Sequence, residues 1–234
     1  MRARTLVLLL AVLSLSGCAA GEGHARSVAP SSPGPASAGP SGDGFHREDV
    51  SELVKKALMA REALVGVGIP GNSRDDLDED FPTSAFCGLV PANEGRTGHV
   101  AHERNWAATD FLVSNTAHIY YRKTGAEAIA EARDNSQRCE TYSLRYASGD
   151  TAVVHVLAPV EFPTPAGVDA SFGRCFTEKA EGYDPEISCA IYLGRKQMAS
   201  VVLLYGAPVG AEAAIRAKLL QIVPIAAAAL AAAA

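Results

Sequence analysis

Ser188-Cys189-Ala190-Ile191-Tyr192-Leu193, the turn sequence Gly194-Arg195-Lys196, and the run Met198-Ala199-Ser200-Val201-Val202-Leu203-Leu204-Tyr205 decide the fold of this chain. Two apolar, β-prone runs joined by a short turn read as a β-hairpin. A second hairpin lies upstream. Cys139 to Tyr146 alternates, with Tyr142, Leu144 and Tyr146 on one face; Ser148-Gly149-Asp150 turns; Thr151 to Leu157 is a β-branched run. Phe162 to Pro165 breaks the pattern, and Ser171 to Thr177 adds a short strand. A further strand is predicted at 111–122, with aromatic residues near its end.

Helical spacing appears outside these runs. Gly125 to Arg138 places Ala128, Ile129 and Ala132 on one face. Ala211, Ile215, Leu219, Ile222 and Val223 make the apolar face of a last helix, which Pro224 is expected to kink or end. The alanine-rich end from Ala226 is helix-prone but too short and weakly apolar to span a bilayer. Near His46 the folded domain begins. Val50, Leu53, Val54, Ala57, Leu58, Leu64 and Val65 repeat at helical spacing, with Asp49 and Glu52 as a capping-box-like start and Gly66, Gly68 and Pro70 as the stop. Residues 70–98 read as loop. The order helix, strand, helix, hairpin, hairpin, helix predicts an α+β domain, an antiparallel β-sheet covered by helices on one side.

The N-terminus carries a different message. Arg2 and Arg4 precede an almost wholly apolar run from Leu6 to Leu15, and small residues follow, the layout of a secretory signal peptide over residues 1–17. Leu15-Ser16-Gly17-Cys18 resembles the bacterial lipobox, whose Cys is lipidated and becomes the mature N-terminus. Cys18 is therefore the expected lipid anchor, holding the protein on the extracellular face of the cell membrane. Residues 18–45 supply that Cys and a tether of Gly, Pro, Ser and Ala without apolar periodicity. Treated as flexible coil, it reaches roughly 25–30 Å. Residues 46–234 form the domain, long enough for one proper core.

Charge and cysteine usage narrow the function. The chain carries a net charge of −5, and loss of residues 1–17 removes two arginines and no acid, leaving −7. That acidity argues against a nucleic-acid partner and against a peripheral grip on anionic lipid. Abundant Arg, Ala, Gly and Pro fit a GC-rich bacterial genome. Of the five Cys, four remain once Cys18 is lipidated: Cys87, Cys139, Cys175 and Cys189. An even number in an oxidising compartment reads as two disulfides, for which three pairings exist. Cys87–Cys139 with Cys175–Cys189 is favoured, since the second bridge then closes a short loop between two strand-like segments. No C-x-x-C pair is present, and a zinc site is not expected.

Signatures of catalysis are missing. G-x-S-x-G and S-x-x-K do not occur, and paired cysteines leave no thiol nucleophile. His99-Val100-Ala101-His102-Glu103 puts the Glu outside the His pair, unlike the helical zinc motifs, so two solvated loop histidines are expected. Asp75, Asp76, Asp78, Glu79 and Asp80 lack the spacing of a calcium loop and read as a solvated acidic loop. Asp169, Glu178, Glu181, Asp184 and Glu186 ring the Cys175–Cys189 loop; paired carboxylates could serve glycoside hydrolysis, but an acidic surface loop is the plain reading. No enzyme, metal or cofactor is expected.

Several features stand in a telling order: Ser51-Glu52-Leu53-Val54 running into Ala57-Leu58-Met59, Phe86-Cys87-Gly88, a strand ending Ile119-Tyr120-Tyr121, and a helix ending Asn135-Ser136-Gln137-Arg138-Cys139. Ser188-Cys189-Ala190-Ile191 and an Ala-rich terminal helix complete it. Over roughly residues 50–225 this resembles the PknH-like extracellular sensor domain of actinobacteria, found outside receptor Ser/Thr kinases and in free lipoproteins. Asn135 and Gln137 stand where related sequences usually carry a Trp. The resemblance implies an α+β domain, two disulfides paired as above, and a ligand-binding cleft. With no kinase domain in this sequence, signalling would need a partner. The expected function is a lipid-anchored, non-catalytic, sensor-like protein binding an unknown envelope ligand through His118, Tyr120, Arg122, Tyr142, Arg145 and His155, since Tyr stacks and Arg makes forked hydrogen bonds. The alternative is an envelope protein that binds a protein partner through a sheet face, without a small-molecule pocket.

Overall fold

The computed structural model describes residues 47–76, 83, 86–89, 99–145 and 151–234. The signal-like run, Cys18, the tether, Asp78 to Asp80 and the Ser148-Gly149-Asp150 turn lie outside the described residues.

Among the described residues, three α-helices, α1 (Arg47–Lys56), α2 (Gly125–Gln137) and α3 (Glu212–Ala233), accompany eight strands: β1 (Ser73–Asp76), β2 (His99–Ala107), β3 (Leu112–Tyr120), β4 (Thr141–Arg145), β5 (Thr151–Pro159), β6 (Ala170–Ala180), β7 (Glu186–Arg195) and β8 (Met198–Pro208). All strands join one antiparallel sheet in the order β1-β2-β3-β8-β7-β6-β5-β4. The chain leaves β3 at the centre, crosses to the far edge through α2, and returns strand by strand to β8, which pairs with β3. Both predicted hairpins form: Thr141 faces His155, and Arg195 faces Met198 across a turn where Lys196 takes a φ of 48°. Both favoured disulfides are present, Cys87–Cys139 and Cys175–Cys189.

Helices cover both faces of the sheet, not one. On β7 the odd positions Ile187, Cys189, Ile191 and Leu193 enter the larger core with α1 and α3; Ala190 and Tyr192 enter a smaller core with Ala128, Ile129 and Ala132 of α2. A strand buried on both sides reads as a continuous apolar run instead of an alternation. A capping box, Thr124 with Glu127, starts α2. The helix docks closely because Gly125 and Gly194 meet there: a Cβ on Gly125 would sit 1.9 Å from the Met198 carbonyl oxygen.

The first helix is shorter than its apolar spacing predicts. It ends at Lys56, and the next segment is held by side chains of the sheet. Met59 N–H donates to Asn115 Oδ1 at 2.8 Å, Arg104 donates to Met59 O at 2.7 Å, and Trp106 Nε1 donates to Arg61 O at 2.8 Å. Asn115 is fully buried and also donates to Ser200 Oγ and Val201 O. Leu58, Met59 and Leu64 remain core residues, so the spacing marks burial while the backbone finds partners outside a helix.

The stretch read as loop, residues 70–98, holds one strand among its described residues, β1, and the segment expected to carry two loop histidines is a second strand. β2 carries His99 to Ala107, and β1 pairs with it. Arg104, then Arg61, bind the Asp75 carboxylate at 2.5 and 2.7 Å and hold its pKa below the usual range. At the other end, Pro224 does not stop α3, which runs to Ala233. By length and composition α3 could cross a membrane, yet Ile215, Leu219, Ile222, Val223, Ala226, Ala227 and Leu230 are buried as one stripe of the core.

Candidate functional site

Alternation along the strands divides the six predicted binding residues. His118 and Tyr120 lie on the α2 face of β3, 0% and 1% exposed, with rings stacked 6.1 Å apart. The Tyr120 hydroxyl bonds to Thr83, and Lys123 sits 5.0 Å over its ring while pairing with Glu131 at 3.0 Å. This end of the face is closed. Arg122 is exposed in the link to α2. His155 is exposed and hydrogen-bonded to Thr141 Oγ1 at 3.0 Å; it lies on the opposite face from Tyr142, which pairs with Val154. Arg145 ends β4 opposite Thr151, and its side chain is outside the described part. The structure thus brings His118 and Tyr120 together, and leaves Tyr142 further along the same face.

Tyr142 has other neighbours. Pairing runs Tyr142–Val154–Glu178–Glu186 across β4, β5, β6 and β7, so these side chains share the α2 face. Glu178 and Glu186 are half-buried strand residues, which corrects their reading as loop acids; Asp169 accepts from the Lys196 amide, and Glu181 and Asp184 are exposed in the turn. Beside them lies an aromatic cluster. Phe86 packs edge-on to Phe176 at 6.2 Å and against Tyr192 at 6.0 Å, and Phe172 stacks on Tyr192 at 5.5 Å. The Cys87–Cys139 bridge ties the Phe86 turn to the chain just before β4.

The electrostatics of this patch follow from burial without compensation. Glu178 is pushed up to about 7, first by burial and then by the Glu186 charge opposite. Burial raises Glu186 as well. Tyr142 rises to about 12 through burial and the Glu178 charge, and Tyr192 rises through burial and its neighbour Tyr142. Among the described residues none of these four side chains has a hydrogen-bond or ion-pair partner. The arrangement can hold a proton between two carboxylates or attract a cation.

A pH test follows. Glu178 titrates near 4.5 in the unfolded chain and near 7 in the folded one. The folded state therefore binds this proton more tightly, and the associated stability is complete below the lower value and lost as pH rises through the upper. Glu178→Gln should raise stability at pH 8 by on the order of 1–2 kcal/mol, after allowing for solvent screening, and leave it nearly unchanged at pH 4. His102 works in the opposite sense in the parent and the variant alike, since burial and Lys55 lower its pKa and its contribution falls as pH drops below 6.5. Denaturant midpoints of both proteins isolate the Glu178 effect. A variant no more stable than its parent at pH 8 removes the repulsion from the account.

The opposite face has a concavity of about 560 Å³ near the start of α3, lined by Leu157, Thr177, Ile187, Val209 and Arg216. Arg216 is already engaged by Glu212 and by the carbonyls of Ala158 and Pro159, so the groove presents little polar recognition. Of the expected histidine pair, His102 is buried and bonded to Ser51 Oγ at 2.7 Å, in a strand instead of a loop. No three His, Cys, Asp or Glu side chains converge among the described residues.

Glu178 and Glu186 escape the sequence reading although a signal exists. Once Cys175 is set opposite Cys189 in a hairpin, counting three residues outward along each strand sets Glu178 opposite Glu186.

No protein-family model matches the chain, and no curated protein matches it. Among solved structures the chain is similar to the crystal structure of the extracellular domain of PknH from Mycobacterium tuberculosis, at 13% sequence identity and a TM-score of 0.45, over 76% of this chain and 96% of that one. The likeness is one of fold.

Proposed function

We propose that this protein is a surface lipoprotein, held to the outer face of the cell membrane by lipid on Cys18, with a non-catalytic, sensor-like domain that binds an envelope ligand. Its binding surface is the patch formed by Tyr142, Phe176, Glu178, Glu186 and Tyr192. The observation that carries this reading is a set of half-buried polar groups without described partners, set against an aromatic cluster. Polar groups that converge on an apolar wall are what orient a bound small molecule. The signal-like leader, the lipobox-like Cys18 and the Pro/Gly-rich tether supply the location. The alternative, a flat protein-binding face, would draw on the exposed large apolar residues Val65, Tyr121, Val153, Tyr183, Val209 and Leu220.

Native mass spectrometry of residues 45–234, produced in an oxidising compartment and incubated with an envelope extract, tests the proposal. The expected spectrum contains an adduct of defined mass that weakens in a Tyr142→Phe, Glu178→Gln variant. A clean apo mass, or an adduct indifferent to both substitutions, would move the reading to a protein partner or another surface.

A further inference from the structure

Apolar packing through Val50 and Val54 and a single polar bond hold α1 to the sheet. Among the described residues, the 2.7 Å bond between Ser51 Oγ and His102 Nε2 is the only hydrogen bond from an α1 side chain to a strand; Lys55 turns back to Glu52. The chain just beyond is fixed independently, because Asn115, Arg104 and Trp106 bind the backbone of Met59 and Arg61. Residues 57–58 are therefore the joint on which α1 can leave the sheet while the next segment stays in place.

His102 is 4% exposed, and its other ring nitrogen, Nδ1, is buried without a hydrogen-bond partner. Neutral imidazole tolerates this, with Nε2–H donating to Ser51 and Nδ1 left as a bare acceptor. Imidazolium does not. Both nitrogens then carry hydrogen, and Nδ1–H has no acceptor. A buried charged donor without a partner is costly. Neighbouring charges offset this little. On α1, Lys55 opposes the cation, and Glu52 favours it but is paired with Lys55. The Arg47 and Glu48 side chains, one turn earlier, lie outside the described part. On β1, Asp75 also favours the cation but is engaged by Arg104 and Arg61. Arg104 is itself a cation on the same face of β2. On β3, Asn115, Ala117 and Ile119 share that face and carry no charge. α3, which shares the core with α1, directs Lys218 to Val67 and Arg216 to Glu212 and Pro159.

We propose that Ser51 and His102 form an acid-operated latch: neutral His102 keeps α1 on β2, and protonation of the ring releases α1 while the sheet stays folded. Released, His102 is solvated and takes a proton near pH 6.5; latched, it takes one only at lower pH. Release is therefore unaffected above 6.5 and favoured as pH falls below it, by up to about tenfold per pH unit for one proton. Because α1 directly follows the Gly/Pro-rich tether, its release lengthens the link to the domain and bares Val50 and Val54.

Hydrogen exchange of the mature chain with both disulfides intact tests the latch at pH 7.5 and 5.5, with rates corrected for the intrinsic effect of pH. Protection of the amides of residues 51–56 should fall about tenfold between the two. At pH 5.5 it should lie below that of the β8 amides, the mark of a local opening. His102→Gln can still bond to Ser51 but does not titrate, so the fall should vanish. Ser51→Ala removes the bond and leaves the ring, and should lower α1 protection at pH 7.5 by about three- to tenfold. A fall under about twofold in the parent, an equal fall in His102→Gln, unchanged α1 protection in Ser51→Ala, or α1 amides exchanging no faster than β8 amides at pH 5.5 overturns the inference.

Discussion

Gly125→Ala is expected to destabilise the domain by about 3 kcal/mol or more, the upper range for forcing an atom into a closed space. A Cβ there would lie 1.9 Å from the Met198 carbonyl oxygen, 2.8 Å from its carbon and 2.9 Å from the Arg195 nitrogen. All three are backbone atoms of the β7–β8 hairpin, so no side chain can swing aside. Gly125 N–H also donates to Lys196 O at 2.6 Å, and a helix pushed off the hairpin loses that bond. Because α2 closes the smaller core, the damage spreads to Ala128, Ile129, Phe172 and Tyr192. Gly66→Ala is the matched control: no atom lies within 4 Å of its Cβ position, so its effect should stay within about 0.5 kcal/mol. Urea midpoints of the two variants decide the matter. Equal midpoints would mean that α2 does not sit this close to the hairpin.

Removing the Cys87–Cys139 bridge by Cys87→Ser, Cys139→Ser should cost about 4 kcal/mol, the chain-entropy value for residues 52 apart. That is a large part of the 5–15 kcal/mol that holds a typical domain together. The Cys175–Cys189 bridge spans only 14 residues and corresponds to about 3 kcal/mol. It also joins strands already held in register by their own ladder. The longer bridge has a further task. It fixes the turn that carries Phe86, and Cys87 adopts a φ of 59° there, a left-handed conformation unfavourable for a residue with a side chain. Without the bridge the turn should leave the sheet and take Phe86 away from Phe176 and Tyr192. Denaturation of the oxidised parent and the variant measures the first effect, and quenching of Tyr fluorescence the second. A loss below 1 kcal/mol would show that the turn holds its place through packing alone.

How much of this structure is legible along the chain depends on how each element is stabilised. The two hairpins are legible because alternation and turn chemistry are local, and so is α2, whose Ala128, Ile129 and Ala132 keep helical spacing. β2 is not: its polar residues look like loop until Ser51 meets His102, Asp75 meets Arg104, and Ser114 meets Glu103. Sequence spacing overextends α1 for the same reason. Leu58, Met59 and Leu64 sit at helical intervals, but their segment is tied down by Asn115, Arg104 and Trp106, residues 45 to 56 positions away. Pro224 reads as a local breaker, whereas the buried stripe that follows it keeps α3 continuous. For the candidate site, Tyr142 stands out by residue type. Its carboxylate neighbours are reachable only by treating the Cys175–Cys189 pair as a ruler for strand register.

By itself, the order of residues determined the α+β class, the antiparallel hairpins and the presence of two disulfides among three possible pairings, because period, turn residues and an even cysteine count act over short spans or as simple constraints. Tertiary structure alone decided which face each strand residue occupies relative to α2, and that helices cover both sides of the sheet. It also decided that His118 and Tyr120 are closed in while Tyr142, Glu178 and Glu186 line up across four strands. A side chain's partners across a sheet come from distant segments in register, and its pKa and solvation depend on what those segments bring. No single stretch of sequence contains that information.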